Sequence, residues 1–94
     1  SNSAVQACWT SDGLRFAIGF ENGSISIRDK ENDKEIKNIV LNTQTEERIW
    51  SLTFSSTKHH NKDYTLIVGT WGKNIYIIEL FNYSIVEIKK LNYD

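Results

Sequence analysis

The sequence predicts an all-β chain built as two four-stranded antiparallel units, and three observations predict it. Ile and Val are frequent while Pro and Met are absent, a profile that favours strands over helices. Short alternating apolar runs are separated by Asp12-Gly13 and Asn22-Gly23, pairs that reverse the chain direction. The second half of the chain also repeats the plan of the first.

The first unit opens with Val5–Trp9, an alternating run that leads into the Asp12-Gly13 turn. Arg15–Gly19 is a second strand. Glu21-Asn22-Gly23 follows, where Asn-Gly predicts a two-residue type I′ hairpin. Ser24–Arg28 alternates strictly, as a strand with one covered face does. A charged turn then leads to Glu35–Val40, whose charges suit an exposed edge. In the second unit the predicted strands are Ile49–Phe54, Thr65–Gly69, Asn74–Leu80 and Ser84–Ile88. Ser55–Asp63 reads as a polar loop, and Trp71-Gly72-Lys73 as a turn.

The two units superpose. Val5, Ala7 and Trp9 correspond to Trp50, Leu52 and Phe54, a shift of 45 residues (5 to 50). Gly19, Ile25 and Ile27 correspond to Gly69, Ile75 and Ile77, a shift of 50 residues (19 to 69). A period of about 40–50 residues with four strands per unit is the signature of β-propeller blades. The expected division is residues 1–47 and 48–94. Asn74–Leu80 is apolar on both faces, which predicts a strand covered on both sides, as between stacked blades. Trp50 and Ile77 are accordingly expected in the core.

Composition narrows the function. Hydrophobic residues make up 39% of the 94, enough for a packed domain but a thin core at this size. The net charge of −1 comes from interspersed charges of both signs, so no basic field draws nucleic acid or an anionic membrane. Cys8 is the single cysteine. It excludes an internal disulfide and makes a reducing compartment the default. No apolar run reaches the roughly 18–20 residues of a membrane helix, and no signal peptide is expected.

Asn22-Gly23-Ser24-Ile25-Ser26-Ile27-Arg28-Asp29 resembles the end of a WD repeat, and Trp9-Thr10-Ser11-Asp12-Gly13 resembles the turn after that repeat's first strand. Arg28 stands where the signature Trp would be and Asn22 where the buried Asp would be. No Gly-His pair precedes either first strand. The family's hydrogen-bonded tetrad is therefore incomplete, and packing must supply blade rigidity. The runs CWTSDGLRFAIGFENGSISIRD, ERIWSLTFSS and TWGKNIYIIEL, with closing Leu91-Asn92-Tyr93-Asp94, are similar to the N-terminal propeller of a WD-repeat subunit of the intraflagellar transport machinery. That resemblance implies two blades of a larger WD40-type β-propeller and a non-catalytic scaffold. It also implies partner subunits in a ciliary transport complex, retrograde transport, and a place in the cytoplasm, cilium and basal body. The alternative is a WD-repeat adaptor in a ubiquitin, chromatin or vesicle pathway, which shares the fold but not the partners.

The residues offer no competing chemistry. His59-His60 has no Cys or carboxylate at ligand spacing beyond Asp63. Cys8 lies in an apolar strand beside Trp9 and reads as a structural thiol, not a nucleophile. No nucleophile elbow surrounds any Ser, and no glycine precedes a helix that could hold phosphate. No catalytic residue, metal or cofactor is expected. Trp9, Asp12, Gly13, Asn22, Gly23, Asp29, Trp50, Phe54, Gly69 and Gly72 read as structural positions of the repeat. Trp71 and Lys73 are the candidate partner surface. An aromatic in such a turn either anchors a partner at the propeller rim or folds back on its own blade. Two blades also leave two outer sheet faces uncovered, so the isolated chain is expected to self-associate.

Overall fold

The computed structural model describes residues 2–41 and 47–92. Tyr93 and Asp94 of the closing motif lie outside the described residues. Eight strands run in chain order: β1 Ala4–Trp9, β2 Arg15–Phe20, β3 Ser24–Asp29, β4 Glu35–Val40, β5 Ile49–His59, β6 Lys62–Thr70, β7 Asn74–Phe81 and β8 Ser84–Asn92. They form two four-stranded sheets, β1-β2-β3-β4 and β5-β6-β7-β8. Every pairing is antiparallel between sequence neighbours. Each sheet is thus a meander held by local hairpins. This is the expected all-β architecture of two WD40-type blades.

The register confirms the repeat and shows how the blades stack. Gly19 pairs with Ile25 and Ala17 with Ile27 in the first sheet. Gly69 pairs with Ile75 and Ile67 with Ile77 in the second. Side chains in paired strands share a face when their residues stand opposite one another. The first sheet buries Ala17, Ile25, Ile27 and Ile39. The second buries the opposite set of positions: Leu66 and Val68 on β6, with Tyr76, Ile78 and Leu80 on β7. Front therefore packs on back, with β1 and β2 lying against β5. Each fully buried Ile or Leu stabilises the stack by about 1.5–3 kcal/mol relative to exposure.

This stacking corrects two core expectations. Trp50 is 61% exposed, because a β-bulge separates Ile49, paired with Thr70, from Ser51, paired with Gly69. The extra residue breaks the period of two, so Ile49 takes the interior slot at 1% exposure. Its side chain lies against Gly19, where an added Cβ would come within 2.6 Å of Ile49 Cγ2. Ile77 and its neighbour Ile75 are half-buried, not core. β7 is covered on the face of Tyr76, Ile78 and Leu80, while its other face is open to solvent.

Two turns also differ from expectation. Ser55–Asp63 is no loop: β5 and β6 continue to His59↔Lys62, leaving only His60 and Asn61 at the tip. Ser, Thr and Tyr fit a pleated ladder, and no Pro or Gly interrupts them. The turn after β2 closes by Gly23 N–H donating to Phe20 O at 3.1 Å. Gly23 has φ of 87°, while Glu21 and Asn22 keep negative φ. It is a three-residue loop ending in a left-handed residue, not a type I′ pair. The second blade copies it, with Lys73 N–H donating to Thr70 O at 3.2 Å and Lys73 at φ of 62°. Asn82 and Tyr83, at φ of 52° and 63°, form the two-residue turn that positive φ at both central residues defines.

Two predictions follow from the packing. Ile27→Ala, Leu66→Ala and Ile78→Ala should each cost about 2–5 kcal/mol, whereas Trp50→Ala should cost under about 1 kcal/mol. Urea unfolding followed by fluorescence and circular dichroism distinguishes them. Gly23→Ala should destabilise by at least about 1–2 kcal/mol from the left-handed backbone alone, and its Cβ would also meet Glu47 O at 2.8 Å. A lowered midpoint at unchanged denaturant slope is the expected signature.

Candidate functional site

Two places hold side chains from distant parts of the chain, one at each end of the strands. At the end of the β2–β3 and β6–β7 turns, Trp71 is 60% exposed and packs against Trp50, ring centroids 5.9 Å apart and planes at 50°. The bulge that turns Trp50 outward is what brings the pair together. Arg48, just before β5, lays its guanidinium over the Trp71 ring at 5.0 Å. The Trp71 N–H donates to Arg48 O at 3.1 Å, fixing the backbones of the two residues. Arg48 also approaches Glu21 of the first blade at 3.7 Å. Cation–π contacts of this kind hold a ring in one orientation while leaving its outer face free. Trp50, Thr70 and Trp71 line a shallow depression there.

Glu47 supports this surface from below. Its carboxylate accepts from Thr70 Oγ1 at 2.5 Å and from Asn74 Nδ2 at 2.9 Å. Its backbone lies against Gly23 of the first blade. A side chain at Gly72 would collide with the same carboxylate. Lys73 is exposed in the turn beside Trp71. Trp71 and Lys73 are thus joined by Trp50, which the sequence pattern predicts in the core, and by Arg48, Glu47 and Glu21, to which it assigns no site role. One signal was present. Arg48 and Trp50 flank Ile49, and a period of two counted from Ile49 puts both outside.

At the other end, the β1–β2 turn of the first blade meets the second blade. Thr10 Oγ1 donates to Asp12 Oδ1 at 2.6 Å, and Leu14 N–H donates to the same oxygen at 2.9 Å. These bonds, the Thr10 hydroxyl first, hold the Asp12 carboxyl below the usual carboxylate range. Tyr64 stacks on Tyr83 at 5.5 Å, and the Arg15 guanidinium lies over Tyr83 at 5.7 Å. Burial raises the Tyr83 hydroxyl well above its ordinary value. Ser11 and Ser56 share a hydrogen bond of 2.7 Å across the blades. The cluster holds the two sheets together.

The other repeat positions are structural or surface groups. Trp9 is 56% exposed and packs on Phe16 at 5.4 Å. Asn22 Oδ1 accepts from Ser24 N–H at 2.9 Å and Ser24 Oγ at 2.7 Å, so it caps its own turn. Asp29 pairs with Arg15 at 3.0 Å. Phe54 meets Tyr64 edge to face at 5.8 Å. Gly13 has φ of 73° and forms the β1–β2 turn. A Cβ on Gly69 would meet Ser51 Oγ at 2.7 Å. Cys8 is half-buried against the core, and burial raises its thiol pKa. Among the described residues no group of His, Cys, Asp and Glu has metal-binding geometry, and no helix is long and apolar enough to cross a membrane.

Comparison with known proteins places this geometry in a family. The family model described as the anaphase-promoting complex subunit 4 WD40 domain matches residues 1–57. The chain is 33% identical over 95 aligned residues to the intraflagellar transport protein 122 homolog of Mus musculus, covering 100% of this chain and 8% of that protein. With the homolog of Danio rerio the identity is 30% over 94 residues, covering 99% of this chain and 8% of that protein. The chain therefore spans about 8% of the length of these curated relatives. A chain in the crystal structure of the mitotic checkpoint complex superposes with a TM-score of 0.66 at 18% identity, over 93% of this chain and 25% of that one. That likeness speaks for the fold alone. Two stacked four-stranded meanders in repeat register and a family model spanning more than half of the residues lead to one conclusion: the chain belongs to the WD40-repeat β-propeller family.

Proposed function

We propose that this chain is a non-catalytic WD-repeat scaffold segment of an intraflagellar transport A complex subunit acting in retrograde ciliary transport. In this reading, residues 1–47 and 48–94 are its two blades. The observation that carries the reading is identity of about 30% to intraflagellar transport protein 122 homologs across the whole chain. Its partners are other protein subunits, and its place is the cytoplasm, the cilium and its basal body.

The contact surface we propose is centred on Trp71 and Lys73, extended by Trp50 and Arg48. Two exposed tryptophans packed on one another with their planes at 50°, Trp71 lying under the Arg48 guanidinium, offer rigid apolar area with little side-chain entropy left to lose on binding. Tryptophan and arginine are the residue types that dominate binding energy at protein interfaces.

The test is co-purification of the tagged chain, in its native protein and in ciliated cells, with intraflagellar transport subunits. Trp50→Ala with Trp71→Ala should weaken that association by about 2 kcal/mol or more, roughly thirtyfold, with little change in thermal midpoint. Undiminished recovery would remove the surface. Recovery with ubiquitin-ligase, chromatin or vesicle-coat subunits in place of ciliary ones would favour the adaptor reading.

A further inference from the structure

We infer that the outer edge of β8 pairs with itself: two copies of this chain join β8 to β8, antiparallel, about a two-fold axis at Ile88.

β8 ends the second sheet and, among the described residues, pairs on one side only, with β7. An edge strand presents a row of backbone N–H and C=O groups that a further strand can take. The repeat itself leaves this edge open. β4 ends the first sheet in the same way, and the chain leaves it to begin the next sheet at β5 without adding a fifth strand. The two sheets meet through β1, β2 and β5. A further blade stacked on the second sheet would therefore cover a face and leave this edge at the rim.

The charges on β8 select both the partner and the register. Glu87, Ile88 and Lys89 are consecutive and exposed, Ile88 at 47%. Glu87 stands opposite Glu79 and Lys89 opposite Ile77, so both lie on one face of the sheet, while Ile88, opposite Ile78, lies on the other. Antiparallel pairing about Ile88 sets each Glu87 against Lys89 of the other copy and brings the two Ile88 side chains together. Opposite charges facing one another across strands stabilise the pair, and like charges destabilise it. Moving the axis to Glu87 sets carboxylate against carboxylate, and moving it to Lys89 sets ammonium against ammonium. An axis between two residues would place the covered face of one sheet beside the open face of the other. Lys62 approaches the Glu87 carboxylate from within its own sheet at 3.4 Å, and a carboxylate accepts from more than one donor.

β4 carries the same triplet, Glu35-Ile36-Lys37, but its charges are engaged at home. The Glu35 carboxylate accepts from Ser26 Oγ at 2.7 Å and from Asn38 Nδ2 at 3.0 Å, and Lys37 is half-buried. β8 is the edge whose pattern is presented outward. Because the same residues serve both copies, the contact is isologous and closes at a dimer.

The experiment is sedimentation velocity on the 94-residue chain over a broad concentration series, with a thiol reductant to keep Cys8 from cross-linking. Circular dichroism checks that each variant keeps the β spectrum. The wild type should pass from monomer to dimer with concentration. Glu87→Lys alone and Lys89→Glu alone should each raise the dissociation constant about tenfold or more, since both cross-strand pairs become repulsive. An equimolar mixture of the two variants should dimerise again, because every charge then meets its opposite, and so should the double exchange Glu87→Lys with Lys89→Glu. A wild-type chain that stays monomeric throughout overturns the proposal. So does association that both single variants leave undiminished, which would place the contact elsewhere. Loss in the single variants without recovery in the mixture or the double exchange also overturns it, since β8 would then be meeting a different strand, such as β4.

Discussion

Everything in this molecule depends on a front-to-back contact between two copies of one repeat. The front of the first sheet, Ala17, Ile25, Ile27 and Ile39, meets the back of the second, Leu66, Val68, Tyr76, Ile78 and Leu80. Both sheets have the same topology and matched registers, so equivalent positions take opposite roles. Ile27 is sealed while Ile77 is half-open, and Val68 is sealed while Ile18 is half-open. A sandwich of two sheets packed face to face would bury equivalent rows in both. Front-to-back stacking instead makes each unit's stability depend on a neighbour, as in other repeat architectures. It also explains why both outer surfaces keep apolar side chains.

The ends of the strands show how small backbone irregularities set what the surface presents. One inserted residue in β5 sends Ile49 inward and Trp50 outward, and so builds the tryptophan pair at the turn end. The equivalent insertion in β1, between Ala4 and Gln6, leaves Val5 packed toward the core. The same bulge thus serves packing in one blade and surface display in the other, because the face it points to is covered in the first sheet and open in the second. Glu47 joins these roles, because its backbone sits on the first blade's turn while its carboxylate braces Thr70 and Asn74 of the second.

Much of the fold was legible in the sequence because its signals are local. Asp12-Gly13, Asn22-Gly23 and the strict alternation of Ser24–Arg28 located hairpins correctly, and the shifts between halves gave the repeat. What stayed hidden depends on register. A bulge leaves no mark on a hydrophobic pattern, so the size of Trp50 and the period of two counted back from Leu52 and Phe54 predict it in the core. The long β5–β6 hairpin is hidden in the sequence because Ser, Thr, His and Asn look like loop residues until paired. The left-handed slot at Lys73 was hidden because Gly72, the residue expected to fill such a slot, lies one position earlier. Of the surface, only Trp71 and Lys73 were legible, since both lie in a turn that local sequence predicts. Arg48, Glu21 and Glu47 join them only through contacts between turns distant in sequence.

The seat of Ile49 on Gly19 has a consequence for how such a chain can change over generations. The inner strands of the two blades come together where one residue has no side chain and the other fills the vacant space. Neither site can drift alone. A methyl gained at Gly19 has nowhere to go unless the partner shrinks, and a smaller residue at Ile49 leaves a void that only growth at position 19 can fill. Among related sequences these two columns should therefore vary as a pair, small opposite large. The pitch between blades is then inherited as a joint property of two positions 30 residues apart (19 and 49).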